Sequence, residues 1–348
     1  MKKLIPRLIA TCLSLSAIAA QAQTTLGLTE IPGTRLDGST SPITVFYPAD
    51  APQQNLQYGP YQVLAARGAK PKTGNQRLIV VSHGSGSSPW MTLDLARNLV
   101  QAGYVVASPE HEGDNWHDTS KVGPKSWLLR PLEVSQAIDA LQKDVRFAGL
   151  VDFKRVGVWG MSAGGHTALT LAGGRWADTR FRDHCQRHIE ADATGCTGGN
   201  IELNGGLFDG IKKAATLAVI RSKFSDATEN SHTDPRVKAI IAGVPFAVDF
   251  DPASLSNPPV PLGIVQSQKD LWLLPQFHSG PVLAACKTCE LVADLPNGGH
   301  GALLSPLPVN LPAWLERLLK DPPGFDRTAE MPPLFAKTRQ FFDKHLLP

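Results

Sequence analysis

The chain has only a small excess of positive charge, a formal net charge of +3, and no long run of basic residues. Its first 22 residues contain three basic side chains and no acidic one, so the other 326 residues carry 31 basic and 31 acidic side chains. A polyanion is attracted by an excess of positive charge, which such a balance does not provide. We therefore expect neither nucleic acid nor an anionic membrane to be the main partner.

Long apolar runs are also missing. After the start of the chain, no stretch approaches the roughly 20 apolar residues that span a bilayer. The start has a basic end, a short apolar stretch and small residues at Ala20 and Ala22, which is the pattern of a secretory signal peptide. Cys12 lies inside it without small residues directly after it, which disfavours a lipoprotein anchor. We expect a signal peptide over residues 1–22 and a periplasmic or secreted domain over residues 23–348.

Cysteine is scarce, and four cysteines remain after the signal peptide. An even number in an exported chain predicts disulfides, and proximity favours Cys185–Cys196 and Cys286–Cys289 among the three possible connectivities. The alternative is zinc, because two residues separate Cys286 from Cys289 as in many zinc sites. The oxidising compartment favours the disulfides.

The chain lacks internal repeats and low-complexity tracts, and short β-branched runs alternate with helical patterns. Several of the runs are apolar throughout, as in a parallel sheet that helices cover on both faces. The alternation predicts a doubly wound, mostly parallel α/β sheet. The predicted strands are Ile43–Tyr47, Leu78–Ser82, Tyr104–Ser108, Val156–Trp159, Val237–Val244, Leu262–Gln266 and Glu290–Ala293, and the predicted helices are Leu93–Ala102, Val134–Val145, Gly210–Arg221 and Pro333–Leu346.

One segment interrupts this alternation. Residues from about 173 to 235 are polar, contain two of the cysteines and offer one clear helix pattern, Gly210–Arg221. Because the segment is too long for a plain connection, we expect a disulfide-bearing insertion folded over the edge of the sheet.

The sequence Gly160-Met161-Ser162-Ala163-Gly164 matches the G-x-S-x-G nucleophile elbow, with a strand pattern before it and a helix pattern after it. Larger side chains at Gly160 or Gly164 would meet the crossing chain, and the serine needs an uncommon backbone conformation. A helix that begins at Ala163 points free N–H groups at the site and favours negative charge there. The pattern predicts that Ser162 is a nucleophile.

A nucleophilic serine needs a basic histidine and a carboxylate that orients it. In folds with this strand–elbow–helix motif they follow along the chain in the order serine, acid, histidine. His300 lies in the glycine-rich segment LPNGGHGALL after the last predicted strand, and we expect it to be the base. Asp270 follows the strand PLGIVQSQ and is the favoured acid. The alternatives are Asp249 and Asp251, each of which is also suited to a turn or helix cap.

An oxyanion hole requires two backbone donors, and we expect the N–H groups of Ser85 and Ala163. Ser85 belongs to the loop SHGSGSS, which follows an apolar strand. A second strand-end loop, PEHEGDNWHD, is rich in groups that resemble metal ligands, but we expect these residues to shape the loop under the substrate. Its polar residues are Glu110, His111, Glu112, Asp114, His117 and Asp118.

The segments SHGSGSS, AGYVVASPEHEGDN, VGVWGMSAGG, DPRVKAIIAGVPF and NGGHGALL resemble the α/β-hydrolase superfamily. More narrowly, they resemble secreted predicted dienelactone hydrolases related to platelet-activating-factor acetylhydrolases. Dienelactone hydrolases use a cysteine nucleophile where this chain has Ser162. In acetylhydrolase-like relatives the acid can follow the preceding strand, where this chain has Gly243 and Val244, and this difference favours Asp270.

Together these patterns predict an exported serine hydrolase that cleaves small-molecule carboxylic esters without a cofactor or a metal. The same groups would serve a lactonase or a phospholipase A2-like acyl hydrolase. A non-catalytic binding module on the same fold is the alternative of another class. Six apolar residues near strand ends are candidates for the pocket lining: Trp90, Trp116, Trp127, Phe246, Trp272 and Leu273. The sequence leaves the oligomeric state open.

Overall fold

The computed structural model describes residues 24–348, so the predicted signal peptide lies outside the described residues. Within that range the chain forms one ten-stranded sheet in the order β10-β9-β8-β7-β5-β6-β2-β1-β4-β3. The strands are β1 Thr25–Thr34, β2 Thr40–Ala49, β3 Gln54–Tyr58, β4 Tyr61–Arg67, β5 Leu78–Ser82, β6 Val105–Pro109, β7 Val156–Met161, β8 Val237–Gly243, β9 Leu262–Ser267 and β10 Glu290–Leu295.

Six neighbouring strands, from β10 to β6, are parallel to one another. The strand β2 runs antiparallel to β6, and β1 runs antiparallel to β2. The helices are α1 Leu93–Gln101, α2 Pro124–Lys143, α3 Ala163–Leu171, α4 Asp178–His188, α5 Ala193–Thr197, α6 Asp209–Lys223, α7 Ser279–Ala285, α8 Ala313–Leu319 and α9 Arg327–Leu346.

Both faces of the sheet are covered by helices. Along β5, Leu78 and Val80 belong to one apolar cluster, and Ile79 and Val81 belong to the other. The first cluster contains residues of α2 and α3, and the second contains residues of α1 and α9. Successive side chains of a strand point to opposite faces, so an apolar run such as LIVVS is buried on both sides. The predicted doubly wound, mostly parallel α/β fold is confirmed.

Three strands were not predicted from the sequence. β1 contains Gly27, Pro32 and Gly33, which weaken a strand pattern, and it is stabilised by pairing with β2 along ten residues. β3 is a polar edge strand, and β4 joins it to β1. β1 and β3 each pair with the strand that follows them in the chain, but glycines and a proline in β1 and polar residues in β3 make their local strand signals weak.

The predicted insertion contains three helices instead of one. In addition to α6, which extends the predicted helix by one to two residues at each end, α4 and α5 form within it. A disulfide between Cys185 of α4 and Cys196 of α5 joins these two short helices. Both cysteines are buried in the apolar cluster that contains α2 and α3. The fold therefore has the disulfide-bearing insertion expected from the sequence.

The second disulfide joins Cys286, at the end of α7, to Cys289, just before β10. Both disulfides join cysteines that are near neighbours in sequence. Among the described residues, no helix combines the length and the apolar character that a membrane crossing requires.

Candidate active site

Ser162 lies at the turn between β7 and α3, at the carboxyl end of the parallel strands. Its backbone has φ 57° and ψ −119°, a conformation that few residues other than glycine adopt. A Cβ atom on Gly160 would lie 2.0 Å from the carbonyl oxygen of Gly164, and one on Gly164 would lie 1.9 Å from that of Ser82. Because neither glycine has a side chain, the backbone of α3 can pass close to β7 and β5 at the turn that carries Ser162.

The hydroxyl of Ser162 points at His300. The Oγ atom of Ser162 lies 3.0 Å from Nε2 of His300, and Nδ1 of His300 lies 2.7 Å from Oδ2 of Asp270. His300 and Asp270 are both buried, whereas Ser162 is partly exposed. If His300 donates from Nδ1 to the carboxylate, its Nε2 is free to accept the serine proton.

Asp270 is fixed by the backbone of the turn that follows β9. Its Oδ1 atom accepts hydrogen bonds from the N–H groups of Trp272 and Leu273, each at 2.8 Å. The other oxygen is left for His300. This arrangement holds the carboxylate in one orientation and so fixes the imidazole ring.

The two alternative acids have other partners. Asp249 pairs with His166, and Asp251 caps the 3-10 helix Pro252–Leu255 by accepting the N–H of Ala253. Asp251 also pairs with Arg175. Neither aspartate is bonded to His300 in the described chain.

The loop after β5 lies against the serine. A Cβ atom on Gly84 would be 3.5 Å from Cβ of Ser162. The N–H groups of Ser85 and Ala163 donate to no other group in the part of the chain that the structure describes. Both are therefore available to an oxygen atom bound beside Ser162.

A buried ion pair lies behind this loop. Nη2 of Arg130 is 2.8 Å from Oδ2 of Asp114, and both residues are fully buried at 0% exposure. Burial opposes the ionisation of Asp114, but Arg130 and hydrogen bonds from Ser126, Ser85 and Gly86 outweigh it. The pKa of Asp114 therefore falls to about 2.

Two buried histidines flank the ion pair. Burial, the nearby His111 and Arg130 lower the pKa of His83 well below its usual value. Burial and Arg130 do the same to the pKa of His111. His83 donates from Nδ1 to the carbonyl of Gly84, and His111 lies between the hydroxyl of Ser82 and the carboxyl of Glu133. Both rings are therefore neutral, and their hydrogen bonds help to hold the loops after β5 and β6 in place.

The other residues of the loop after β6 are engaged with one another or with neighbours. Glu112 pairs with Lys121 and Arg35, and the exposed His117 pairs with Glu110. Oδ1 of Asp118 accepts the N–H of Ser120. These contacts shape the loop beside the serine.

One group in the described range has a geometry that could hold a metal: His184, Asp192 and Cys196. The sulfur of Cys196 is already bonded to Cys185, which removes it as a thiolate ligand. Oδ2 of Asp192 accepts a hydrogen bond from Nε2 of His184 at 2.8 Å. The three residues are therefore better explained by a disulfide next to a hydrogen-bonded histidine–aspartate pair than by a metal site.

The candidate pocket residues are divided between the site and the core. The ring of Trp272 lies 5.1 Å from that of His300. Trp127 and Phe246 stack at 4.9 Å within a buried aromatic cluster. Trp90 stacks on Tyr58. The remaining two residues differ in exposure: Leu273 is buried, and Trp116 is 64% exposed.

Arg130 and Glu133 were not identified from the sequence. Both lie on the buried side of α2, where most of the other side chains are apolar. Arg130 is spaced from Val134 and Ile138 so that all three share one helix face. A charged residue within an apolar stripe is the signal that could have revealed a buried ion pair.

No family model and no curated protein matches the chain. Among solved structures, the fold is similar to that of a ferulic acid esterase from Streptomyces cinnamoneus. The two share 17% sequence identity with a TM-score of 0.61, and the alignment covers 95% of this chain and 92% of that one. At this identity the likeness establishes a shared fold over nearly the whole of both chains.

Proposed function

We propose that the protein is an exported serine hydrolase that cleaves carboxylic esters through an acyl-enzyme. The observation that carries the proposal is the continuous chain from Ser162 Oγ to His300 Nε2 at 3.0 Å and from His300 Nδ1 to Asp270 Oδ2 at 2.7 Å. A serine, an imidazole and a carboxylate in this order form the machinery of acyl transfer.

In the first step, Ser162 Oγ forms a bond to the ester carbonyl carbon and its proton passes to Nε2 of His300. The carbonyl π electrons move to the oxygen, which accepts the N–H groups of Ser85 and Ala163. When the intermediate collapses, the C–O bond to the alcohol breaks and His300 protonates the departing oxygen. Water then repeats the sequence on the acyl-enzyme and releases the acid.

Asp270 keeps the imidazole in the tautomer that leaves Nε2 free and stabilises the imidazolium that forms. Its two backbone hydrogen bonds support this role, because they prevent rotation of the carboxylate. The similarity in fold to a protein named as a ferulic acid esterase is consistent with an ester substrate. Trp272 beside His300 gives an aromatic ester a flat apolar surface to contact.

Export is part of the proposal. Two disulfides suit an oxidising compartment. We propose cleavage after Ala22 and one hydrolase domain over residues 23–348, with the insertion over about 173–235. The sheet supports a single domain, because its strands extend from β1 at Thr25 to β10 at Leu295.

A lactonase or a phospholipase A2-like acyl hydrolase would use the same groups, and a binding module would use none of them. Labelling with a fluorophosphonate separates the serine hydrolases from a binding module, because the reagent phosphonylates an activated serine. We expect one label per chain, at Ser162, and none on Ser162→Ala. A folded wild-type protein that is neither labelled nor active on aryl esters, alkyl esters of graded length or lactones would contradict the proposal.

A further inference from the structure

The loop His83–Gly86 is held from behind by the side chain of Arg130. Nη1 of Arg130 donates to the carbonyl of His83 at 2.6 Å, and Nη2 donates to the carbonyl of Gly84 at 3.3 Å. Nη2 also donates to the carbonyl of Asp114 at 3.1 Å. One buried guanidinium thus binds two consecutive carbonyl groups of the loop beside Ser162.

Asp114 fixes the guanidinium and the far side of the same loop. Its Oδ2 atom accepts from Nε of Arg130 at 3.0 Å, and its Oδ1 atom accepts from Ser85 Oγ at 2.6 Å and from the N–H of Gly86 at 3.0 Å. Because the carboxylate has a pKa of about 2, it remains charged and keeps these donors at neutral pH. The ion pair therefore restrains the peptide units on both sides of Ser85.

The direction of one peptide unit follows from these contacts. In a trans peptide the C=O of one residue and the N–H of the next point in opposite directions. The carbonyl of Gly84 points at Arg130 and also accepts Nδ1–H of His83 at 2.8 Å. The N–H of Ser85 must therefore point away from Arg130. Without these donors, rotation of the unit could turn a carbonyl oxygen instead of an N–H toward the developing anion.

We propose that Arg130, held by Asp114, is a positioning residue that keeps the Ser85 N–H directed at the oxyanion. The inference rests on the proposed function. Arg130 is fully buried and has no hydrogen bond to Ser162, so it would act only through the Gly84–Ser85 peptide unit. Its loss should therefore weaken binding of the transition state while leaving binding of the ground-state ester almost unchanged.

The test compares Arg130→Met and Arg130→Lys with the wild-type protein on a 4-nitrophenyl ester. An alkyl trifluoromethyl ketone serves as the probe, since Ser162 Oγ adds to its carbonyl carbon and the resulting oxyanion occupies the same hole. We expect Arg130→Met to lose about 100- to 1000-fold in kcat/KM, mainly through kcat, by analogy with removal of one oxyanion donor. The inhibition constant of the ketone should rise by a similar factor, and Arg130→Lys should fall between.

Arg77→Met is the matched control for the loss of a buried guanidinium. Arg77 is 7% exposed and donates from Nε to the carbonyl of Leu346 at 2.8 Å, with no contact to the loop after β5. We expect it to lower thermal stability and to change kcat/KM and the ketone affinity less than about threefold. If Arg130→Met gives the same result as Arg77→Met, Arg130 is only structural and the inference is overturned.

Ser85→Ala decides the question if Arg130→Met does not fold. The Ser85 side chain is exposed, and its substitution removes one hydrogen bond to Asp114 while retaining the backbone N–H. We expect kcat/KM to fall about tenfold and the ketone to bind weaker by the same factor, as for loss of one charge-assisted bond. Unchanged ketone affinity, or a loss confined to KM, would overturn the inference. A wild-type protein without esterase activity or fluorophosphonate labelling would instead overturn the proposed function, and the inference with it.

Discussion

Nε2 of His166 lies 2.9 Å from Oδ2 of Asp249, and both side chains are fully buried. This histidine–aspartate pair is separate from that of His300 and Asp270, and its histidine lies one helical turn after Ser162. The ring of Trp127 stacks on His166 at 5.2 Å. The pair therefore belongs to the buried aromatic cluster around α3. Among the described residues the ring of His166 is bonded to no hydroxyl, whereas the ring of His300 lies 3.0 Å from the hydroxyl of Ser162.

The two pairs can be separated by matched substitutions. We expect Asp270→Asn to lower kcat by several orders of magnitude, up to about 10⁴-fold, because the amide favours the wrong imidazole tautomer. His300→Ala should lose at least as much. Asp249→Asn should lower the temperature of unfolding and leave kcat within about tenfold, since its partner is structural. Steady-state kinetics and thermal unfolding measure both effects. A crippled Asp249→Asn or Asp251→Asn beside a nearly normal Asp270→Asn would make Asp270 the wrong acid.

Ser162→Ala should abolish ester hydrolysis and retain the fold, because the hydroxyl does chemistry and fills little space. Activity on a 4-nitrophenyl ester should fall by at least about 10⁴-fold, and the circular dichroism spectrum should be unchanged. Ser108→Ala is the control, since Ser108 is a buried serine whose hydroxyl donates to the carbonyl of Val81 and not to a histidine. Activity above a few per cent in Ser162→Ala would indicate another nucleophile.

Gly164→Ala should destabilise the protein because the new methyl group would lie 1.9 Å from the carbonyl oxygen of Ser82. Relief requires β5 and α3 to separate, which should cost at least about 3 kcal/mol and displace Ser162. Gly149→Ala is the control, because a Cβ atom there meets nothing within 4 Å. Urea unfolding at pH 7 measures the difference. Equal stability of the two variants would show that the tight crossing at Gly164 is not required.

The charge on Asp114 predicts a pH-dependent contribution to stability. Its pKa is about 2 in the folded chain against an ordinary value of 3.8, so the stabilisation is complete above about pH 4 and is lost as the pH falls toward 2. Ser126→Ala removes a hydrogen bond of 2.5 Å to this carboxylate and should raise its folded-state pKa. We expect the free energy of unfolding to fall by about 2 kcal/mol at pH 7, and we expect this decrease to shrink between pH 4 and pH 2.

Urea unfolding of Ser126→Ala from pH 7 to pH 2 measures this change. Ser108→Ala again serves as the control, because its hydroxyl donates to a neutral carbonyl and its cost should not depend on the charge of Asp114. A loss in Ser126→Ala that stays constant over the whole range would contradict an ionised Asp114.

Removal of the disulfide in the insertion should lower stability more than activity. Cys185 and Cys196 are 11 residues apart, and closing such a loop contributes about 2–3 kcal/mol by the chain-entropy estimate. The double serine variant of this pair should show that loss in urea unfolding, with kcat nearly unchanged at low temperature. The double variant of Cys286 and Cys289, which are three residues apart, should lose less. Four free thiols in the purified wild-type protein would contradict both disulfides.

The fold class followed from the sequence because its signal is local. An apolar run such as Leu78–Ser82 can be buried only where helices cover both faces, and glycines on either side of Ser162 indicate a turn that no larger residue tolerates. The strands β1, β3 and β4 were missed because pairing within the sheet stabilises them more than their local propensity does. β1 contains Gly27, Pro32 and Gly33, and β3 is polar. The short helices α4 and α5 were missed because packing against the core stabilises them more than their own propensity does.

The sequence by itself singled out Ser162 as the candidate nucleophile and His300 as the candidate base, because the G-x-S-x-G motif and the ends of the predicted strands are local patterns. Only the tertiary structure decided which aspartate lies within 2.7 Å of His300, since Asp249 and Asp270 both follow strands. It also decided that Arg130 reaches across 46 positions to bind the carbonyl of Gly84. The physical reason is that a hydrogen bond depends on the distance between two atoms in space. Spacing along the chain predicts that distance only within one helix or one strand.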